Sequence, residues 1–230
     1  WYLLYLLFYT LLLIPLASFL DSRGQAVRER FQKLRGVWLV LVPVLPLLAW
    51  FNVVFPYFPD VTRAFYDDWY SHAMYGTFFL YGFLIARDQG FWSELLRLRK
   101  VTLSLAVVFY FLFLARHSLL PNDASGWQNQ LSALITYLNR WLWIIAIFGW
   151  GYRLLNRPMR WLPYATEAVY PWYILHQSIT IVVGYNLTQM RLGPVVEPAL
   201  VLLATIGGCL LLHEFVIRRT RFLRPLFGLK

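Results

Sequence analysis

Cysteine is nearly absent: a lone Cys209, set in the last apolar run, excludes an intrachain disulfide framework and says nothing of redox compartment. Charge is scarce as well, at 14% of 230 residues, while hydrophobic residues reach 60%, against about 45–50% for soluble domains even with glycine counted. An ordinary soluble domain is thereby excluded. There is no HExxH, no Cys/His metal spacing, no Walker loop and no GxGxxG after a strand, so no metal or nucleotide site is read from motifs. No internal repeat, Gly/Ser linker or polar domain interrupts the apolar runs, and the connections reach only about 14–17 residues. The given sequence opens at Trp1 inside an apolar run, a start from which neither a signal peptide nor an N-terminal anchor is read.

What is present is a series of apolar stretches of membrane length. Seven spans are read: Trp1 to Phe19, Val37 to Phe55, Trp69 to Ala86, Val101 to Ala115, Tyr137 to Leu155, Thr166 to Tyr185 and Pro198 to Phe215. The predicted fold is all-α, a polytopic integral membrane helical bundle forming one domain over residues 1–230. All of the 21 Lys and Arg except Arg63, Arg116, Arg140 and Arg191 fall on one side of the alternating spans. Cytoplasmic loops concentrate these residues, so Trp1 is placed outside and Lys230 inside. The net charge of +10 is then mainly a topology signal, with a share for anionic headgroups. A nucleic-acid partner is not expected, because the basic clusters are separated by spans.

The stretch TEAVYPWYILHQSITIVVGY, Thr166 to Tyr185, is the most informative. Its helical rise of about 1.5 Å per residue puts His176 near the middle of a hydrocarbon core about 30 Å thick. Thr166, Tyr170, Tyr173, His176, Gln177, Thr180 and Gly184 share one face, while Trp172, Ile174, Ile179, Ile181 and Val182 occupy the other. Pro171 predicts a bend near the start of this helix. A polar stripe at membrane depth favours a cavity wall, with His176, Tyr173, Tyr170 and Gln177 as candidate site residues. The ordinary reading of the same residues is helix packing with bonded polar groups.

His72 is the second candidate. It lies near the outer end of the third span with Asp68 four residues before it, a spacing that lets imidazole and carboxylate meet on one helical face. The competing reading is a solvated helix start. Arg140, at the outer part of the fifth span, either snorkels to the interface or holds a carboxylate or oxyanion. Toward the inner side, Arg153, Arg157 and Arg160 precede the His176 helix; guanidinium forks suit phosphates, though topology alone also predicts cations there. His213, Glu214 and Arg218 read as a salt-bridged helix end.

The run EAVYPWYILHQ resembles the C-terminal pattern of the membrane-bound acyltransferase 3 family. The opening WYLLYLLFYTLLLIPL, the segment FFLYGFLIARDQGFW and the ending IRRTRFLRPLFGLK are similar to its glucan biosynthesis protein C branch. The resemblance implies about ten helices with both ends cytoplasmic, so seven spans starting outside correspond to the C-terminal part of the domain, with N-terminal helices as partners. It implies a bacterial inner-membrane, multi-pass O-acyltransferase. Such an enzyme moves an acyl group, succinyl in this branch, from a cytoplasmic acyl-CoA-type co-substrate to a hydroxyl of a periplasmic glucan, without a bound cofactor. The family's principal catalytic histidine falls upstream of Trp1, so this stretch alone is expected to be inactive. Two other classes fit the residues: a transporter or flippase for a polar or acyl-bearing solute, and a non-catalytic membrane scaffold.

Overall fold

The computed structural model of the chain describes residues 1–22, 25–86, 88–119 and 126–229, with the side chains of 18–22, 25–28 and 117–119 excepted. The structure is 78% helix, without strands among the described residues. Of the basic residues that orient the chain, Arg23, Arg87, Lys230 and the side chain of Arg28 lie outside the described part.

Two compact units divide the chain, Trp1–Asn156 and Arg157–Lys230. The first holds α1 (Tyr2–Ser22), α2 (Gln25–Gln32), α3 (Val37–Leu41), α4 (Val44–Val53), α5 (Trp69–Ile85), α6 (Gln89–Leu119) and α7 (Trp127–Leu155). The second holds α8 (Leu162–Gln189), α9 (Val196–Leu211), a π-helical turn (Leu212–Ile217) and α10 (Leu223–Leu226). Gln89–Arg116, Trp127–Leu155 and Val196–Ile217 are long and apolar enough to cross a membrane, and Tyr2–Ala17 and Val37–Val53 are shorter apolar helices. The later helices outrun the apolar stretches read from sequence. Polar flanks such as Gln89–Lys100 contain no proline and continue the backbone hydrogen bonding unbroken.

The stretch Val37 to Phe55, read as one span, is broken between α3 and α4. Pro43 has no N–H for the Leu39 carbonyl four residues earlier. The indole Nε1–H of Trp141 on α7 donates to that carbonyl at 2.9 Å, and the Tyr81 hydroxyl of α5 donates to the Pro43 carbonyl at 2.8 Å. The break is thus satisfied from neighbouring helices, and Leu39, Val44, Leu47, Tyr81 and Trp141 meet in the core of this unit.

The antiparallel pair α6–α7 is drawn close by a glycine. A Cβ on Gly149 would lie 2.9 Å from the Leu95 carbonyl oxygen and 3.2 Å from Arg99 Cβ, and backbone cannot yield cheaply. Gly149→Ala is expected to lose about 1–3 kcal/mol, seen as a lower unfolding temperature in detergent. Gly151→Ala, two residues on and facing open space, should be neutral or slightly stabilising. Equal behaviour of the two variants would show that the close approach contributes nothing.

In the second unit α8 runs through Pro171 without interruption and pairs antiparallel with α9. Ile179 packs on Gly208, as expected for the apolar face of α8, and the Thr180 and Thr205 hydroxyls bond at 3.0 Å. At the end of the hairpin formed by the start of α8 and the π-helical turn, Arg218 donates to Glu214 and to Glu167 at 2.9 and 3.1 Å, so the salt-bridged terminus read from sequence gains a second carboxylate from α8. The hydrogen bond to Glu214, with the charges of both carboxylates, pushes the Arg218 guanidinium above its ordinary pKa.

Candidate active site

In the first unit, Tyr5 and Tyr9 lie one turn apart on α1 and face the start of α5. Asp68 immediately precedes α5 with φ −87° and ψ 48°, outside helical geometry. Its carboxylate turns toward α1, where Oδ2 accepts the Tyr5 hydroxyl at 2.9 Å and the Arg63 N–H at 3.2 Å. Oδ1 has no partner among the described residues. Arg63 takes a left-handed φ of 58° to present that N–H. The spacing of Asp68 and His72 therefore does not pair the two groups, because the carboxylate belongs to the turn before the helix and the imidazole to its first turn. Asp68 is 1% exposed and His72 8%, so this is not a solvated helix start either.

His72 makes two other hydrogen bonds. Nε2 lies 2.9 Å from the Phe65 carbonyl, and Nδ1 lies 3.1 Å from the Tyr9 hydroxyl. A carbonyl only accepts, so Nε2 carries the proton; in the neutral ring Nδ1 then accepts from Tyr9. Tyr5 stacks on the imidazole with centroids 4.2 Å apart, so the tyrosine that holds Asp68 also covers His72. The result is a buried imidazole held at both ring nitrogens, with Nδ1 facing a phenol.

Beside this cluster lies a cavity of about 350 Å³ lined by Val61, Tyr70, Ser71, Met74 and Arg140 together with Tyr75 and Phe78. The Arg140 guanidinium sits 5.6 Å from the Tyr137 ring centroid and forms no ion pair among the described residues. The Tyr137 hydroxyl bonds the Tyr70 hydroxyl. Arg116 binds the Ser132 and Thr136 hydroxyls, each at 2.7 Å. A cation, phenols and a serine at one cavity suit an anionic or strongly polar group.

In the second unit, His176 and Thr180 of α8 line an open groove of about 430 Å³ with Glu197, Pro198, Val201, Leu202 and Thr205 around α9. His176 Nδ1 lies 3.1 Å from the Trp172 carbonyl and so donates to it, and Nε2 has no hydrogen-bond partner among the described residues. The side chain is exposed. Tyr173 tilts against His176 at 5.8 Å. The sequence placed Tyr170 and Gln177 on the same stripe, but neither lines the groove. Tyr170 covers Gly228, and Gln177 is exposed. Arg153 ends α7 in the first unit, while Arg157 and Arg160 open the second, all three exposed. Among the described residues no group of three or more His, Cys, Asp or Glu is placed to hold a metal ion.

Tyr5, Tyr9 and the Phe65 carbonyl escaped the sequence reading. The i, i+4 repeat of tyrosines in an otherwise aliphatic helix was the available signal, but their partners lie 63 residues away.

Apolar helices of membrane length in an all-helical architecture define the class as a helical membrane protein. A model of the acyltransferase 3 family, described as an acyltransferase domain, matches residues 1–214, and the chain belongs to that family. It is thus an acyltransferase of a membrane family. No curated protein and no solved structure matches the chain.

Proposed function

We propose that this chain is the C-terminal part of a single-domain membrane O-acyltransferase that carries an acyl group from a cytoplasmic acyl-CoA-type donor to a hydroxyl of an extracytoplasmic carbohydrate. The match to the acyltransferase 3 model over residues 1–214 carries this reading. Likeness to the glucan biosynthesis protein C branch favours succinyl as the acyl group and a periplasmic glucan as acceptor. The bacterial inner membrane is then the site of action, crossed seven times by this chain with Lys230 inside. His72 and His176 are the catalytic candidates. Asp68, Arg140, Tyr170, Tyr173 and Gln177 are assigned to the substrates, and Arg153, Arg157 and Arg160 to the donor phosphates. A sugar hydroxyl attacks a thioester poorly unless a base takes its proton and donors stabilise the oxyanion, and these side chains offer both.

The test is acceptor acylation in membranes bearing the full-length protein and labelled acyl-CoA. Wild type should form acylated carbohydrate, and His176→Ala at equal expression should transfer about 10²-fold more slowly, the effect of losing a group that positions reactants. The open groove of His176, Thr180, Thr205 and Glu197 would also suit passage of a polar solute. Solute movement without any acylated product would replace the enzyme with a transporter.

A further inference from the structure

We infer that the cavity beside α5 and α7 is a subsite for a carboxylate at the far end of the acyl group, and that Arg140 selects donors carrying a short dicarboxylic acyl chain. This rests on the acyl-transfer reading above and adds the chemical feature by which this cavity tells one donor from another. It asks no proton transfer of the side chains involved.

Three observations converge on a carboxylate. Arg140 lines the cavity of about 350 Å³, and its guanidinium forms neither an ion pair nor a hydrogen bond among the described residues. Arg116 on α6 repels it, so an anion at Arg140 relieves that repulsion while forming new bonds. The Tyr137 ring lies 5.6 Å from the guanidinium and is fixed in turn by the bond between the Tyr137 and Tyr70 hydroxyls, with both rings buried. A guanidinium placed over a fixed ring is partly oriented before any ligand arrives, and less freedom is lost on binding. Ser71 lines the same cavity, is 4% exposed, and has no side-chain hydrogen bond among the described residues. One fork of N–H groups and one hydroxyl match the two oxygens of a single carboxylate.

The rest of the lining sets what carries that carboxylate. Val61, Met74 and Phe78 offer apolar wall to the methylenes that separate it from the thioester. The volume lies at the lower end of the range of about 300–1,000 Å³ usual for small-molecule sites, which suits a short chain. Arg140 is the one cation among the described lining residues, a sparse complement for a multiply charged phosphate. The oxyanion of the reacting carbonyl is the other anion that an acyl-transfer site holds. Arg140 in that role would serve every acyl group alike, and this difference makes the two roles separable.

The experiment compares labelled succinyl-CoA with labelled butyryl-CoA, the same four-carbon chain without the carboxylate, for the full-length protein in membranes with a soluble gluco-oligosaccharide as acceptor. In wild type kcat/KM should favour succinyl, and Arg140→Gln should lower the succinyl-to-butyryl ratio by about 10–10²-fold, as expected for a lost hydrogen bond between charged groups. Arg140→Lys keeps the charge without the fork and should restore part of the ratio, while Ser71→Ala should lower it by about 3–10-fold. An unchanged ratio with equal losses for both donors would make Arg140 an oxyanion group, and an unchanged ratio with no loss would make it an interfacial anchor on lipid phosphate. Either result overturns the subsite. If Arg140→Gln does not insert, unfolding of the wild-type protein in detergent decides, at an ionic strength held constant with chloride. Succinamate, a carboxylate joined to a neutral carbonyl, should raise the unfolding temperature and butyramide should not; equal effects reject the site. Failure of wild type to transfer either group, with succinamate still protecting, sinks the acyl-transfer reading and leaves the carboxylate site standing.

Discussion

His72→Asn is expected to lower acyl transfer by about 10²–10⁴-fold, the span that general-base catalysis contributes, in a protein that still inserts and folds. The asparagine side-chain oxygen can stand where Nδ1 stands and accept the Tyr9 hydroxyl, but it takes no proton at neutral pH. His72→Ala loses transfer and stability together. It strands the Tyr9 hydroxyl and the Phe65 carbonyl, both bonded to the ring in the native protein, at about 1–3 kcal/mol for each buried polar group left unpaired. Steady-state transfer measured beside an unfolding curve separates the two effects. Full activity in His72→Asn would remove His72 from the chemistry and leave His176 as the histidine to pursue.

Trp141→Ala should give the largest loss of stability in the first unit, about 3–5 kcal/mol. The indole is 1% exposed, stacks on Phe78 and meets Tyr81 edge-on, so its removal opens a void at the centre of the core. In lipid this loss is chiefly one of packing contacts, because a bilayer solvates apolar surface as well as a helix does. Trp141→Phe separates packing from hydrogen bonding. It keeps a ring but leaves the Leu39 carbonyl without its 2.9 Å donor, and should cost about 1–3 kcal/mol. Pro43→Ala supplies a backbone N–H to the same carbonyl. The Trp141→Phe loss should therefore shrink in a Pro43→Ala background, and a strictly additive double variant would show that the indole does not substitute for the missing backbone donor. Reversible unfolding in mixed detergent–lipid micelles measures all three.

The acyltransferase assignment and the site geometry come from different kinds of information. Family membership follows from motifs spread along residues 1–214, and each of those motifs is local. The candidate site was legible only in halves. His72 and Asp68 stood out because ionisable residues are rare in such a chain, yet their four-residue spacing suggested a direct pair that does not form. Asp68 lies before the helix, and the contacts that claim both side chains come from α1. On α8 the sequence put seven residues, His176 among them, on one stripe, and of these only His176 and Thr180 line the groove. Tyr170 is drawn off by Gly228 near the C-terminus.

By itself the sequence determined the all-helical class and the apolar stretches, since these follow from local composition and from backbone groups that must bond internally in lipid. Where Val37 to Phe55 would break was also written locally, in Pro43. How that break would be tolerated was not. The donor to Leu39 comes from Trp141, 102 residues away. The partners of His72 likewise come from α1, 63 residues earlier, and no periodicity within either helix encodes such a meeting. Packing of α1 against α5 converted two unremarked tyrosines into the partners of a buried histidine and carboxylate. Pairwise contacts between distant helices depend on how whole faces fit together, and that is decided only in the folded chain.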